Sequence, residues 1–326
     1  MTVDADVSVI IAAFTAERWD NIVAAIESVQ RQTLAPRELI VAIDHNSALW
    51  GRVERHTAAM PNVTVVDNRW PRGVSGARNT GIATAHGNLC AFLDDDAEAA
   101  PDWLANLVTG YADADVLGVG GAIDPHWHSQ RPAWFPEEFD WVVGCSYRGL
   151  PVRVSATRNL IGANMSFRRS VLTEVGGFRS DIGRVGEFPP VGCEDTALCI
   201  RARLQWPHGR FVYEPSARVR HSVPYSRVRL KYFLARCYGE GASKAQLAQL
   251  FGLADSLSVE RTYVARTLPA GIAAAVVDAV RRREVGALAR GAAIVAGLAS
   301  AAAGFAVTMT RGRPPAPAQV PLEVSR

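Results

Sequence analysis

Over the first hundred positions, short apolar blocks are separated by longer amphipathic stretches. Val7–Ala13, Glu38–Ile43, Val63–Val66 and Leu89–Leu93 are rich in Val, Ile and Leu, and have the length of strands buried on both faces. Between them, Arg18–Arg31 places Ile22, Val23, Ile26 and Val29 at helical spacing, and Ser75–His86 reads as a second helix. Pro101 suits the first turn of another helix, and Val116–Gly121 is again strand-like. This alternation predicts an α/β fold built on a doubly wound, mainly parallel sheet. In such sheets ligands bind beyond the carboxyl ends of the strands. Asp44 closes the second block and Asp94-Asp95-Asp96 closes the fourth, so both sit where a ligand is expected.

From Ile123 to Arg158 the periodicity fades into a Pro-rich excursion carrying His126, Trp127, His128, Trp134, Phe135 and Trp141. Strand and helix signals resume at Asn159–Phe167, Arg169–Val175, Cys193–Gln205 and Arg210–Tyr213. Beyond Pro224 the chain is Ala-, Arg- and Leu-rich and reads as helices, and its Pro-rich end, 313–326, reads as disordered. Gly291–Thr310 runs twenty residues without a charge, but eight are Ala and three Gly. With Arg281–Arg283 and Arg290 before it and Arg311 after it, it reads as a helix lying on an anionic membrane surface, ahead of a packed soluble helix or a span. The expected organisation is a catalytic domain over 1–235, with a nucleotide-sugar half to about 121 and an acceptor half over 122–235. A helical extension over 236–312 and the tail follow.

Composition narrows the classes. With 48% hydrophobic and 21% charged residues the chain is ordinary globular protein, and a net charge of +3 gives no reason to expect nucleic acid as a partner. Five cysteines without a CxxC pair argue against structural zinc and a disulfide-stapled fold, and fit a reducing compartment. Met1–Phe14 has no basic leader before its apolar run and reads as a strand, not a secretory signal. Charge is uneven, however: Thr196–Tyr238 holds nine Lys/Arg against one acid, Glu214. That stretch is either a solvated basic surface or an anion site for phosphates or an acidic membrane face.

The chemistry-bearing residues point to a cation. No GxxxxGK[ST] is present, and the first strand leads into Phe14-Thr15-Ala16-Glu17 with no glycine-rich turn. Diphosphate charge must then be met by other means, such as a carboxylate-held divalent ion. Asp94-Asp95-Asp96 offers this: three adjacent acids repel, and strand alternation turns Asp94 and Asp96 to one side. Glu194-Asp195 opens a helix, as a dipole partner or as a general base aimed from a loop–helix junction. His221, among Arg218 and Arg220, could be a further ligand or a phosphate contact, whereas His126 and His128 read as structural.

Taken in order, Val7–Ile11, Glu27–Thr33, Gly73-Val74-Ser75-Gly76-Ala77-Arg78-Asn79-Thr80-Gly81-Ile82, Phe92–Asp96, Pro101–Leu104, Gly176-Gly177-Phe178, Cys193-Glu194-Asp195 and His221 resemble the family-2 glycosyltransferases of GT-A fold, over about 7–235. The resemblance implies a DxD motif in Asp94 and Asp96. Asp94 is expected near the nucleotide ribose, and Asp96 is expected to hold Mg2+ or Mn2+ against the donor diphosphate. It also implies that Arg78 lies near the nucleotide, that Asp195 is the catalytic base, and that His221 completes the metal site. Ala13, Asp44 and Asp95 join Arg78 and Asp94 as nucleotide-sugar contacts, and Trp141 and Glu194 are candidates for the acceptor side. Two departures, Asp44-His45 for a pair of aspartates and Phe14-Thr15 for Tyr-Asn, fall where the donor base would sit. The function implied is an inverting, metal-dependent glycosyltransferase acting from a nucleotide-diphosphate sugar onto a glycan or lipid-linked acceptor. It would work in the cytoplasm at the inner face of the plasma membrane, with peripheral contact through the C-terminal helices. The alternatives are a sugar-nucleotide-binding module without turnover and a nucleotidyltransferase.

Overall fold

A computed structural model describes residues 6–182, 192–252, 262–282 and 285–311. The tail at 313–326 lies outside them. Strand β1 (Val7–Ala13) lies between β2 (Glu38–Ile43) and β4 (Leu89–Asp94), with β3 (Val63–Asp67) beyond β2, all parallel. Period-two alternation divides β1 between two cores. Val7, Val9, Ile11 and Ala13 face α1 (Trp19–Gln30) through Ile22, Ile26 and Val29. Ile10 faces the other way, onto Ile82 of α3 (Val74–Thr84). At Gly81 of α3 a Cβ would lie 2.4 Å from Ile10 Cγ2, so only glycine lets the helix approach this closely.

The register makes the strand ends level. Ala13 pairs with Ile43, and Ala12 with Asp94. Ala13, Asp44 and Asp94 therefore share one edge of the sheet, as the sequence predicts.

Past β4 the sheet becomes mixed. Strand β8 (Asn164–Arg168) runs antiparallel between β4 and β6 (Val116–Trp127). Strand β6 then pairs in parallel with β9 (Arg210–Val223). Short β5 (Ala97–Ala99), just past the aspartates, pairs antiparallel with β9 and sets Ala97 opposite His221, while β7 (Ser155–Thr157) pairs with β9 elsewhere. The long β9 exceeds its predicted four residues because Arg218-Val219-Arg220-His221 alternates: Val219 and His221 are buried while Arg218 and Arg220 face solvent. Helix α2 (Ser47–Thr57) escaped prediction, since its buried side is only Leu49, Val53 and Thr57; Asn46 caps it by accepting from Leu49 N at 3.0 Å. Short α4 (Trp103–Thr109) and α5 (Arg169–Glu174) follow β5 and β8, and α6 (Glu194–Gln205) precedes β9.

The aromatic excursion is largely core. Phe135, Phe139 and Val143 are buried, and Phe233 of α7 (Leu230–Phe251) packs between Trp134, Phe135 and Phe139 at ring-centroid distances of 5.5, 5.4 and 5.2 Å. The boundary expected at 235 falls inside α7. A π-turn (Tyr263–Thr267) leads into α8 (Leu268–Arg282), and α9 (Val285–Thr310) follows. Two stretches, Tyr263–Arg281 and Gly286–Thr310, are long and apolar enough to cross a membrane by length and composition. Helix α9 meets α7 through glycines: a Cβ on Gly241 would lie 1.8 Å from the Ala301 carbonyl oxygen, and one on Gly304 2.1 Å from that of Tyr238. All five cysteines are buried free thiols, and burial pushes Cys90 up to about 12.

Asn164 stitches the sheet beneath the site. Its Nδ2 donates to the Ala122 and Ala217 carbonyls at 2.9 and 2.8 Å, and its Oδ1 accepts from Trp103 Nε1 at 2.8 Å. Asn164→Leu leaves all three partners buried and unpaired, so urea unfolding should show a loss of about 3 kcal/mol or more.

Candidate active site

The strand edge carries a compact acidic cluster. Asp94, Asp96 and His221 each offer one ligand atom, and the three atoms lie within 4.8 Å of one another. The local backbone makes this arrangement: β4 delivers Asp94, the turn delivers Asp96, and the β5–β9 pairing brings His221 beside them. Ser222 N donates to the Asp96 carbonyl at 2.8 Å, which locks that pairing. His221 Nε2 lies 3.0 Å from Asp96 Oδ1, while its buried Nδ1 has no hydrogen-bond partner. Asp96 also pairs with Arg227 Nη2 and Arg18 Nη1, each at 3.1 Å. Burial alone would raise the Asp96 carboxyl, but His221, Arg227 and Arg18 outweigh it and hold it well below the usual range. Two carboxylates and an imidazole are a donor set that suits Mn2+ or Mg2+, and the chain holds their ligand atoms converged.

Asp95 points elsewhere. Its Oδ1 accepts from Arg18 Nη1 at 2.8 Å, and its buried Oδ2 has no partner. Burial, opposed by Arg18 and reinforced by Asp96 and Asp94, raises its carboxyl to about 7. Asp95 and Asp96 form the turn that follows β4, so strand alternation does not set their directions, and both carboxylates meet Arg18 Nη1, at 2.8 and 3.1 Å.

The second acidic pair opens α6. Asp195 Oδ2 accepts from Gly162 N at 3.0 Å, and its Oδ1 accepts from Thr196 N at 2.6 Å. Loss of water raises Asp195 to about 6; the Glu194 charge adds to this and Arg78 opposes it. A carboxylate aimed by two backbone donors, with that proton affinity, is suited to take a proton near neutral pH.

Arg78 joins the two carboxylate groups. It is almost fully buried in α3, donating Nη2 to Asp94 Oδ1 and Nη1 to Glu194 Oε1, both at 3.0 Å. Nη2 also donates to the Gly162 carbonyl at 3.2 Å. A Cβ on Gly162 would lie 2.9 Å from that nitrogen. The Gly162 residue thus holds Arg78 through its carbonyl and Asp195 through its N–H.

At the other end of the edge, Asp44 accepts from Asn68 Nδ2 at 2.7 Å and Gly73 N at 2.9 Å, with His45 Nδ1 at 2.9 Å. His45 adopts a left-handed backbone, φ 51°. Ala13, buried at the end of β1, accepts from Asp44 N at 2.8 Å.

Residues 8–176 match the family described as Glycosyl transferase family 2. A glucosyl-dolichyl phosphate glucuronosyltransferase of Haloferax volcanii is 35% identical over 246 residues, covering 75% of this chain and 78% of that one. The chain belongs to glycosyl transferase family 2. It is a glycosyltransferase. Among solved structures, the mannosyltransferase PcManGT from Pyrobaculum calidifontis, in complex with GDP-Man and Mn2+, shares the fold at a TM-score of 0.56. The two are 18% identical, with 91% of this chain and 86% of that one covered. GalNAc-T7 with UDP, GalNAc and Mn2+ gives 0.53 at 16% identity, covering 79% and 55%.

Within this glycosyltransferase the structure redistributes several sequence expectations. Glu194 is engaged by Arg78, and Trp141 Nε1 donates to the Tyr263 hydroxyl at 3.1 Å beside the C-terminal helices. Neither side chain stands free toward an acceptor. The basic stretch finds acids, three of them from distant parts of the chain and one a turn along the same helix. Arg210 pairs with Asp113, Arg218 with Asp124 at 2.6 Å, Arg220 with Glu98 at 3.0 Å and Arg236 with Glu240 at 3.1 Å. Of that stretch, Arg227 reaches the acidic cluster. Arg18 and Arg227 were not singled out from the sequence. Arg18 follows the first strand, on the binding edge, and that position is the one signal that could have marked it.

Removing the Arg78 cation leaves two carboxylates facing each other in a largely dry site. Arg78→Met should cost about 3–5 kcal/mol of stability at neutral pH. The measurement is urea unfolding; because the penalty lies in ionised acids, it should shrink on acidification.

Proposed function

We propose that the chain is an inverting, metal-dependent glycosyltransferase that moves a sugar from a nucleotide-diphosphate donor to a hydroxyl of a lipid-linked acceptor. The observation that supports this most is the linkage through Arg78, which ties a metal-type ligand cluster to a raised carboxylate aimed by backbone donors. Asp94, Asp96 and His221 would hold the cation, which when bound supplies positive charge against the diphosphate leaving group. Asp44, with Ala13 and His45 beside it, would receive the donor base, and Asp95 would fix the loop through Arg18. Asp195 would take the proton from the acceptor hydroxyl as its oxygen forms a bond to the anomeric carbon. The diphosphate leaves from the opposite face of that carbon, so one displacement inverts it.

The acceptor and location follow from chemistry outside this site. On α8 and α9, Val276, Val277, Val280, Leu288 and Val295 are exposed, 46–74% for the α8 residues. Arg281 and Arg311 lie at the helix ends. An apolar face with basic ends fits peripheral contact with an anionic bilayer. The dolichyl phosphate in the name of the Haloferax volcanii relative supports a lipid-linked acceptor. A donor in solution and a membrane-bound acceptor would be met together at the cytoplasmic face, which is the location proposed. The proposed domain plan is a catalytic unit to about Val228 followed, among the described residues, by helices α7, α8 and α9.

The deciding assay incubates the full chain with a panel of nucleotide sugars, Mn2+ and a polyprenyl-phosphate-linked acceptor, and measures acceptor-dependent release of nucleoside diphosphate. Release of pyrophosphate, or of nothing, would sink the reading. Asp195→Asn should lower kcat by about 10²–10⁴. Because the base works deprotonated, the wild-type rate should rise with pH through about 6.

Two binding measurements accompany it. Mn2+ should raise the melting midpoint of the wild type, and His221→Ala or Asp96→Asn should remove that rise. In co-sedimentation with vesicles containing anionic lipid, a Val276→Asp, Val280→Asp, Leu288→Asp variant should lose most of the bound fraction.

A further inference from the structure

The residues just before the base are held from an unexpected direction. Gly192 N donates to Ser243 Oγ at 2.9 Å, and Ser243 Oγ donates to the Gly239 carbonyl at 2.8 Å. Cys193 Sγ donates to Glu240 Oε1 at 3.6 Å. Glu240 is fixed by its own helix, through Arg236 Nη1 at 3.1 Å and Lys244 Nζ at 3.7 Å. All the holding groups belong to α7. Cys193 sits in the left-handed region with φ 76°, a conformation that persists in a non-glycine residue only where its surroundings impose it. One residue on, the chain enters α6 with Glu194 and Asp195.

Helix α7 is itself immobilised. Its Gly241 and Tyr238 contact α9 with no room for a side chain, and Ser300 of α9 donates to the Leu234 carbonyl at 2.8 Å. The base loop therefore rests on a helix clamped from behind.

We propose that α7 positions the catalytic base, acting through Ser243 and Glu240, although it supplies no atom to the reacting centre. This rests on the reading of Asp195 as the base. Ser243 sets the path of the backbone into α6, and Glu240 anchors the strained Cys193 and adds a negative charge near Asp195. The groups facing Asp195 are Glu194 and the Thr196 N–H from α6, Arg78 from α3, the Gly162 N–H from its loop, and Glu240 from α7. Loss of water and the Glu194 charge raise Asp195 most; Glu240 adds to them.

The test titrates the full chain labelled with [4-13C]Asp by carbon NMR, with the Asp195 signal assigned by its loss in Asp195→Asn. Glu240→Gln should lower the Asp195 midpoint, and Glu240→Asp should restore it. Affinity for the Mn2+ complexes of UDP and GDP should stay within about twofold of the wild type, because the donor edge lies on β1, β2 and β4. A folded Glu240→Gln protein with an unchanged midpoint would overturn the role of Glu240. Ser243→Ala, a minimal change, covers the case in which the Gln variant fails to fold. It should lower kcat by about tenfold while leaving the donor KM unchanged. Equal losses in both parameters, or none, would overturn the role of Ser243. Full activity in Asp195→Asn would instead refute the base assignment, a result separate from the titration.

Discussion

One buried guanidinium organises this protein. Arg78 sits where water is scarce, and its charge is tolerable only because Asp94 and Glu194 lie on either side at 3.0 Å. The same geometry constrains the acids. Asp94 belongs to the end of β4 and Glu194 to the start of α6, two elements separated by a hundred residues of chain. Without a cation between them they would repel, and the cluster around Asp96 would lose its fixed relation to Asp195. The Gly162 residue completes the link in a way no side chain could, since a Cβ there would collide with the guanidinium.

Much of this arrangement could be read from the chain. Val7–Ala13 and Glu38–Ile43 are visible as strands because both faces are apolar, and their ends predict the binding edge. Alternation along an extended chain picks Asp94 and Asp96, the two acids that lie with His221, but the structure makes Asp95 and Asp96 a turn, so the physical reason is the turn and not the strand. The partnership of Arg78 with Glu194 was not legible, because spacing along the chain says nothing of contacts between α3 and α6. Strand β9 was underestimated for a related reason. Its arginines looked like a basic patch, but their period of two puts the charges on one face and His221 on the other.

The aromatic excursion shows the same limit. Read linearly, Trp127, Trp134 and Phe135 lie in a Pro-rich excursion without periodicity. In three dimensions they form the platform onto which Phe233 docks α7, with Phe139 and Phe233 centroids 5.2 Å apart. Hydrophobic burial there secures the helix that carries Ser243 and Glu240. Through α7 the C-terminal helices are therefore packed into the fold on one side, against these aromatics, and tied to the start of α6 on the other.

All five thiols are sealed inside the protein, and burial drives those of Cys90, Cys199 and Cys237 far above the range in which they would ionise. The native chain is thus silent toward thiol-directed reagents while folded. A single cysteine introduced at Val152, which is 87% exposed, would be the one site open to alkylation. A fluorophore attached there could report on the surroundings of this face without stripping out any natural residue.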